Sequence, residues 1–143
     1  MQSLTISFNC SQTPMALYEA INNVAAWWGP VNGASEKVGD EFIYRHADIH
    51  YSKHRVTEMV PGKKVVWLTV DSQLNFVEQK DEWTGNTITF NIDEQNGFTT
   101  LTFTQQNLTP AMECYEACSG AWNFYVGESL RNLAALGQGS PDK

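Results

Sequence analysis

Leu4, Ile6, Phe8 and Cys10 alternate with Thr5, Ser7 and Asn9, the period-two pattern of a strand with one buried face. Thr13-Pro14 then predicts a helix to about Asn22, with Thr13 as N-cap and Met15, Leu17, Tyr18 and Ile21 available to a core. Asn23 to Trp28 reads as a second short helical piece, stopped by Gly29-Pro30, and residues 31–40 read as a loop. From Asp40 the period returns to two. Phe42, Tyr44 and His46 open one run, Tyr51 to Val60 forms a second and Lys63 to Asp71 a third, the last two joined by a Pro61-Gly62 turn. Residues 73–85 are less regular but hold Phe76 and Trp83. Thr87 to Asp93 and Phe98 to Gln105 then form a pair of strands about the hairpin signal Asn96-Gly97.

The last third switches to helical spacing. Thr109 as N-cap, Pro110 at the first position and Gly137 as stop predict one helix about 40 Å long. Its apolar stripe carries Cys114, Tyr115, Cys118, Trp122, Tyr125, Val126, Ser129, Leu133 and Leu136, with Glu113, Glu116, Asn123 and Arg131 opposite. Glu113 and Glu116 also suit the positive end of the helix dipole. The expected class is α+β: a curved six-stranded antiparallel sheet wrapped around the C-terminal helix, with two short helices between the first two strands. Such a sheet must cover one apolar face, and the helix supplies the cover. The space between them, open at an end, is where a ligand would enter.

Composition changes this picture in few places. The 143 residues suit a single domain, 1–143, able to bury roughly two-thirds of its unfolded surface. Five Trp, seven Phe and five Tyr can fill a core or line a pocket equally well. A net charge of −7 without any basic run argues against nucleic acid and against an anionic membrane surface. No segment has the roughly 18 continuous apolar residues of a membrane span, and no signal peptide is visible, so a cytoplasmic protein without membrane insertion is expected. In that compartment Cys10, Cys114 and Cys118 are read as reduced thiols, and the two Asn-x-Ser/Thr matches, at Asn9 and Asn107, as chance.

Two stretches also carry a resemblance. One is Arg55-Val-Thr-Glu-Met-Val-Pro-Gly-Lys-Lys-Val-Val-Trp67, followed by Glu82-Trp83-Thr84-Gly85. The other is Glu113-Cys114-Tyr115-x-x-Cys118-x-x-x-Trp122, followed by Ser129-Leu130 and Gly137-x-Gly139-x-Pro141. Together they resemble the START-related helix-grip (SRPBCC) superfamily. Within it they look like the bacterial single-domain proteins similar to the C-terminal domain of the activator of the ninety-kilodalton heat-shock chaperone's ATPase. The resemblance implies a deep cavity for apolar or amphipathic small molecules; relatives include lipid and hormone carriers, polyketide cyclases and co-chaperone modules. Where that pattern often ends its last strand in Thr-His, this chain has Gln105-Gln106, so no histidine role carries over there.

His46, His50 and His54, with Asp48, are ligand types for zinc or iron, but they fall on a strand–turn–strand stretch without a recognised ligand spacing. The favoured arrangement sets His46 opposite His54 across a hairpin, with His50 near the turn. They are then polar groups of the concave face, or else surface or satisfied core histidines. Trp122, Tyr125 and Ser129 are either ligand contacts or packing residues. Trp27 reads as packing and Trp28 as a gate at one mouth. Trp67 is ambiguous, since Val65-Trp67-Thr69 and Val66-Leu68-Val70 are both acceptable inward sets. Asp81, Glu82, Glu58 and Asp71 read as a solvated rim, and Cys114 and Cys118 as inert. No nucleophile with a base, phosphate loop or dinucleotide fingerprint is present.

The sequence therefore predicts a binder of a small hydrophobic or amphipathic molecule, without metal, cofactor or catalytic group. The expected cavity walls are Trp28, Phe42, Tyr44, His46, His54, Trp67, Phe76, Trp83, Ile88, Phe90, Phe103, Trp122 and Tyr125, with His54 and Tyr125 orienting the ligand. Two alternatives stay open. A cyclase or hydrolase acting on an aromatic or polyketide-like substrate predicts a buried ionisable group facing the space. A chaperone-associated module predicts a filled cavity and an exposed patch; a homodimer or chaperone contact is compatible with the sequence.

Overall fold

The computed structural model describes residues 3–78, 80–110, 112 and 114–141. Strand β1 (Ser3–Cys10) buries every second residue, as its alternation requires. Helix α1 (Pro14–Asn22) starts where predicted, the Thr13 hydroxyl accepting the Ala16 N–H at 3.1 Å, and α2 (Val24–Trp27) follows at once. Strands β2 (Val31–Gly33), β3 (Glu41–His46), β4 (His50–Val60), β5 (Lys64–Leu74), β6 (Thr87–Gln95) and β7 (Phe98–Gln106) complete one antiparallel sheet, ordered β1-β7-β6-β5-β4-β3-β2. The first strand thus pairs with the last, Ser3 opposite Gln106 and Cys10 opposite Thr99. The seventh strand, β2, was not expected. Three residues are too few to show a period, and Val31 pairs with Tyr44 only because the chain returns along the edge of β3.

The C-terminal helix starts later than expected. Leu108 is buried, the Met112 N–H turns back to Thr109 O at 2.9 Å, and helix α3 (Tyr115–Phe124) begins only after Cys114, whose N–H donates to Glu82 Oε1 at 3.1 Å. Thr109-Pro110 is therefore a turn rather than an N-cap, and Glu113 lies outside the described residues. Helix α3 continues into a π-helical segment, Tyr125–Leu130, and then α4 (Arg131–Leu136), ended by Gly137 in the left-handed region. The wider π turn explains a second departure from the stripe. Cys118, Trp122 and Val126 are buried in step, then Ser129 and Leu130 both turn inward, and Leu136 is left exposed.

The π segment also seats the chain's end. Ser129 Oγ donates to Trp27 O at 2.7 Å and accepts the Ser140 N–H at 2.7 Å, tying α2, the π turn and the tail together. Gly139 fits this slot because it has no Cβ, which would run into the Ala26 carbonyl and lie 3.1 Å from Ser129 O. Gly139→Ala is expected to cost roughly 1–3 kcal/mol through this backbone collision. Thermal denaturation reads it out, and an unchanged Tm would show that the tail is not seated there.

The interior between sheet and helix is filled by tryptophan. Trp27, Trp28, Trp67, Trp83 and Trp122 are all at most 3% exposed. Trp67 stacks on Trp27 at 6.3 Å and on Trp28 at 6.1 Å, which settles the β5 register: Val65, Trp67 and Thr69 face inward. Trp83 stacks on Trp122 at 5.6 Å. Phe42, Phe90 and Phe103 close the gaps edge-on or tilted, Phe42 on Trp67 at 4.9 Å and Phe103 on Trp122 at 4.8 Å.

Candidate functional site

At one end of the tryptophan core a cleft of about 200 Å³ remains. Trp28 follows α2, Tyr44 and His46 come from β3, Ile49 from the β3–β4 turn and His50 from β4. Phe76 and Trp83 come from the β5–β6 connection, Ala117, Cys118, Ala121 and Trp122 from α3, and Tyr125 from the π segment. Seven of the expected wall residues thus meet here: Trp28, Tyr44, His46, Phe76, Trp83, Trp122 and Tyr125. The other six, Phe42, His54, Trp67, Ile88, Phe90 and Phe103, lie in the filled core, at most 1% exposed and off the cleft. Ile49, His50, Ala117, Cys118 and Ala121 were not among the expected walls. A signal for two of them was present. Ala117 and Ala121 are one helical turn apart, and small side chains there leave room beside Cys118 and Trp122.

The histidine arrangement differs from the expected one. The β3–β4 turn is only Ala47, Asp48 and Ile49, with Ala47 at φ 48°, so His46 pairs with His50 and His54 pairs with Phe42. Because β4 alternates, His50, Ser52 and His54 point to the same inner face. They form one hydrogen-bonded chain. Ser52 Oγ lies 2.8 Å from His50 Nε2 and 2.9 Å from His54 Nε2, and His54 Nδ1 lies 3.0 Å from Thr69 Oγ1. Ser52, His54 and Thr69 are fully buried, while His50 is partly exposed where it meets the cleft. Burial, with the nearby His46 as a lesser cause, holds His50 down to about 4; burial, with His50 as a lesser cause, holds His54 down to about 3. Both rings are neutral at pH 7. A base this weak is poorly matched to proton abstraction at neutral pH, but a neutral imidazole is a good hydrogen-bonding partner.

The remaining polar groups are quiet. Its hydrogen bond with Cys114, and then burial, push the Cys118 thiol upward, so it stays protonated and unreactive. Trp83 Nε1 is buried without a nitrogen or oxygen partner, its polar neighbour being the weakly accepting Cys118 sulfur. Among the described residues lining the cleft there is no Lys, Arg, Asp or Glu, and no group of three or more His, Cys, Asp or Glu is placed to hold a metal. Glu82 is not simply rim: it receives the N–H at the entry to α3. Glu58 pairs with Lys64 at 3.5 Å, and Asp71 accepts the Tyr51 hydroxyl at 3.2 Å. Among the described residues no helix is long and apolar enough to cross a membrane.

The same architecture recurs in solved structures. The Aha1 dimer from Colwellia psychrerythraea superposes with a TM-score of 0.78 at 21% identity, over 97% of this chain and 100% of that one. DynU16, a protein in the dynemicin biosynthetic locus, gives 0.71 at 14% identity, over 97% of this chain and 49% of that one. Protein MLL2253 from Mesorhizobium loti gives 0.71 at 16% identity, over 88% and 92%. These likenesses show the helix-grip fold. No curated protein matches the sequence. The family model described as "Activator of Hsp90 ATPase homolog 1-like protein" matches residues 13–135, the span from the cap of α1 to α4, and the chain belongs to that family.

Proposed function

We propose that this protein binds one small hydrophobic or amphipathic molecule in the cleft between α3 and the β3–β4 hairpin. The observation that carries this reading is the cleft itself: an apolar, aromatic-walled recess at an end of the grip that tryptophan leaves open, with no Asp, Glu, Lys or Arg among the described residues that line it. Its size limits the occupant. An apolar cavity of about 150 Å³ accepts benzene, and sites for drug-sized molecules run from about 300 Å³ upward. A volume of about 200 Å³ suits a single substituted ring or a short branched chain. Affinity then comes from buried apolar area, at about 25 cal/mol per Å², and the few polar groups select among ligands.

A second reading draws on the filled interior and on Ile49, Phe76 and Phe124, which are 41–45% exposed near the cleft mouth. Large exposed side chains of this kind suit contact with a second copy or a chaperone, and the Colwellia relative is described as a dimer. One experiment separates the two. Native mass spectrometry of freshly purified protein is expected to show an adduct on the order of 150 Da, the mass of a substituted monocycle. Titration of the apo protein with such molecules should quench the fluorescence of Trp28, Trp83 and Trp122. A clean apo mass, no tryptophan response and a doubled mass would favour the assembly reading instead.

A further inference from the structure

The polar chain that ends in the cleft has a direction, and the direction follows from counting protons. Ser52 has one hydroxyl proton and two ring nitrogens beside it, so with both bonds made it donates to at most one and accepts from the other. At the inner end Thr69 is fully buried, and among the described residues its hydroxyl has one hydrogen-bond partner, His54 Nδ1. The Thr69 proton is satisfied only if it points at that nitrogen. A neutral His54 then carries its own proton on Nε2 and donates to Ser52. Ser52 in turn donates to His50 Nε2, and a neutral His50 must carry its proton on Nδ1. The reverse direction would leave the Thr69 O–H unpaired in the core, which costs the desolvation of a buried donor. His50 therefore enters the cleft as a hydrogen-bond donor.

We propose that the cleft selects a small, neutral, planar carbonyl compound, of the class of aryl ketones and aromatic aldehydes, whose carbonyl oxygen accepts the His50 Nδ1–H. This rests on the binding function proposed above and names its ligand class. Trp83 lines the cleft edge-on to His50, its ring centre 4.8 Å away, and gives a planar ligand an aromatic wall beside that donor. Charge excludes the obvious competitors. A carboxylate would find no Lys or Arg among the lining residues, and an ammonium no Asp or Glu. The aromatic faces that could cage a cation are partly spent on one another, Trp28 on Tyr44 at 4.1 Å and Trp83 on Trp122. Ser52 and His54 act as positioning residues that hold the His50 tautomer.

Acetophenone and α-methylstyrene make the test, because they differ only in a carbonyl oxygen replaced by a methylene. The more apolar styrene would win in a cleft that reads area alone. The wild type is expected to bind acetophenone about tenfold more tightly, as one hydrogen bond from a buried donor allows. The carbonyl stretch should move to lower frequency on binding. His50→Phe should erase the preference, bringing the two affinities within about threefold of each other, and return the stretch. Ser52→Ala keeps the ring, so its signature is the 15N spectrum of His50, which should change from one tautomer with a protonated Nδ1 to a mixture. Equal affinity for the two probes, a bare Nδ1 in the wild type, or tighter binding of benzoate or phenyltrimethylammonium overturns the proposal and leaves the binding function standing. Failure of every probe to bind overturns both.

Discussion

Acidification from pH 7 to pH 4 is expected to remove roughly 6 kcal/mol of folding stability, about 3 from each of His50 and His54. Both rings titrate near 6.5 when unfolded, and in the fold burial lowers them to about 4 and about 3. A depressed folded pKa means that the unfolded chain takes up the proton first. The stability is therefore complete above about pH 6.5, falls as the pH drops below it, and is fully lost only once the folded pKa values are passed. Among the described residues no carboxylate is a cause of either shift, so none offsets the new charge. The titratable groups lining the cleft beside His50 are His46 across the hairpin, Tyr44, Cys118 and Tyr125, none of them a carboxylate. His54 is surrounded by Phe42, Trp28, Trp67 and Trp83. Small domains hold only about 5–15 kcal/mol in total, so the fold should fail in mild acid. Urea denaturation at pH 7, 6, 5 and 4 measures this, with midpoints expected to fall steeply below pH 6.5. His54→Gln should be less stable at pH 7 but flatter with pH. A flat wild-type profile from 6.5 to 4.5 would mean that the histidines are not buried as described. Glu41, lowered by Arg55 and Lys53, adds an exposed contribution of the same sign that is lost only below about pH 4.5.

That histidine chain marks the boundary of what could be read from the residues alone. Wherever a rule is local, the sequence was legible. Alternation in β1 and the Thr13-Pro14 cap appear as expected, and the Pro61-Gly62 turn closes with the Lys63 N–H on Val60 O at 2.9 Å and Gly62 at φ 73°. Alternation also says that Phe90 and Phe103 turn inward, whereas for Trp67, in a strand apolar on both faces, only the packing on Trp27 and Trp28 decides it. Alternation does not say whether an inward side chain meets another side chain or a ligand-sized space. Here Trp27 and Trp28, adjacent at the end of α2, both reach the centre of the grip and fill it, so the open space lies to one side. His50 does flank the turn, but the expected pairing of His46 with His54 fails because the length of that turn is not set by a local rule; with three residues in it His46 faces His50. The π segment left no mark in the sequence, and its extra residue is what brings Leu130 onto the buried face beside Ser129.

Trp122→Ala should be the most damaging single change at the cleft. Trp122 is 1% exposed and touches Phe103, Trp28 and Trp83 with ring centres 4.8–5.6 Å away, so truncation opens a cavity costing roughly 3–5 kcal/mol. The indole also donates to Gln105 Oε1 at 2.7 Å. Gln105 is fully buried, and its Nε2 has no partner among the described residues, so losing Trp122 would strand the whole amide at a further cost of about 1–3 kcal/mol. By contrast Asp71→Asn, on the exposed face, should change stability by less than about 1 kcal/mol. Ligand affinity should follow the same order, because Trp122 is a wall of the cleft and Asp71 is not. A gentler pair separates packing from the hydrogen bond. Trp122→Phe keeps a ring but leaves Gln105 unpaired, whereas Trp122→Phe with Gln105→Leu removes both polar partners at once. The double variant is expected to be more stable than the single one, since an apolar pair avoids the stranded amide. Chemical denaturation of wild type, both singles and the double closes the cycle. A double variant weaker than Trp122→Phe alone would show that Gln105 is satisfied by something other than this indole.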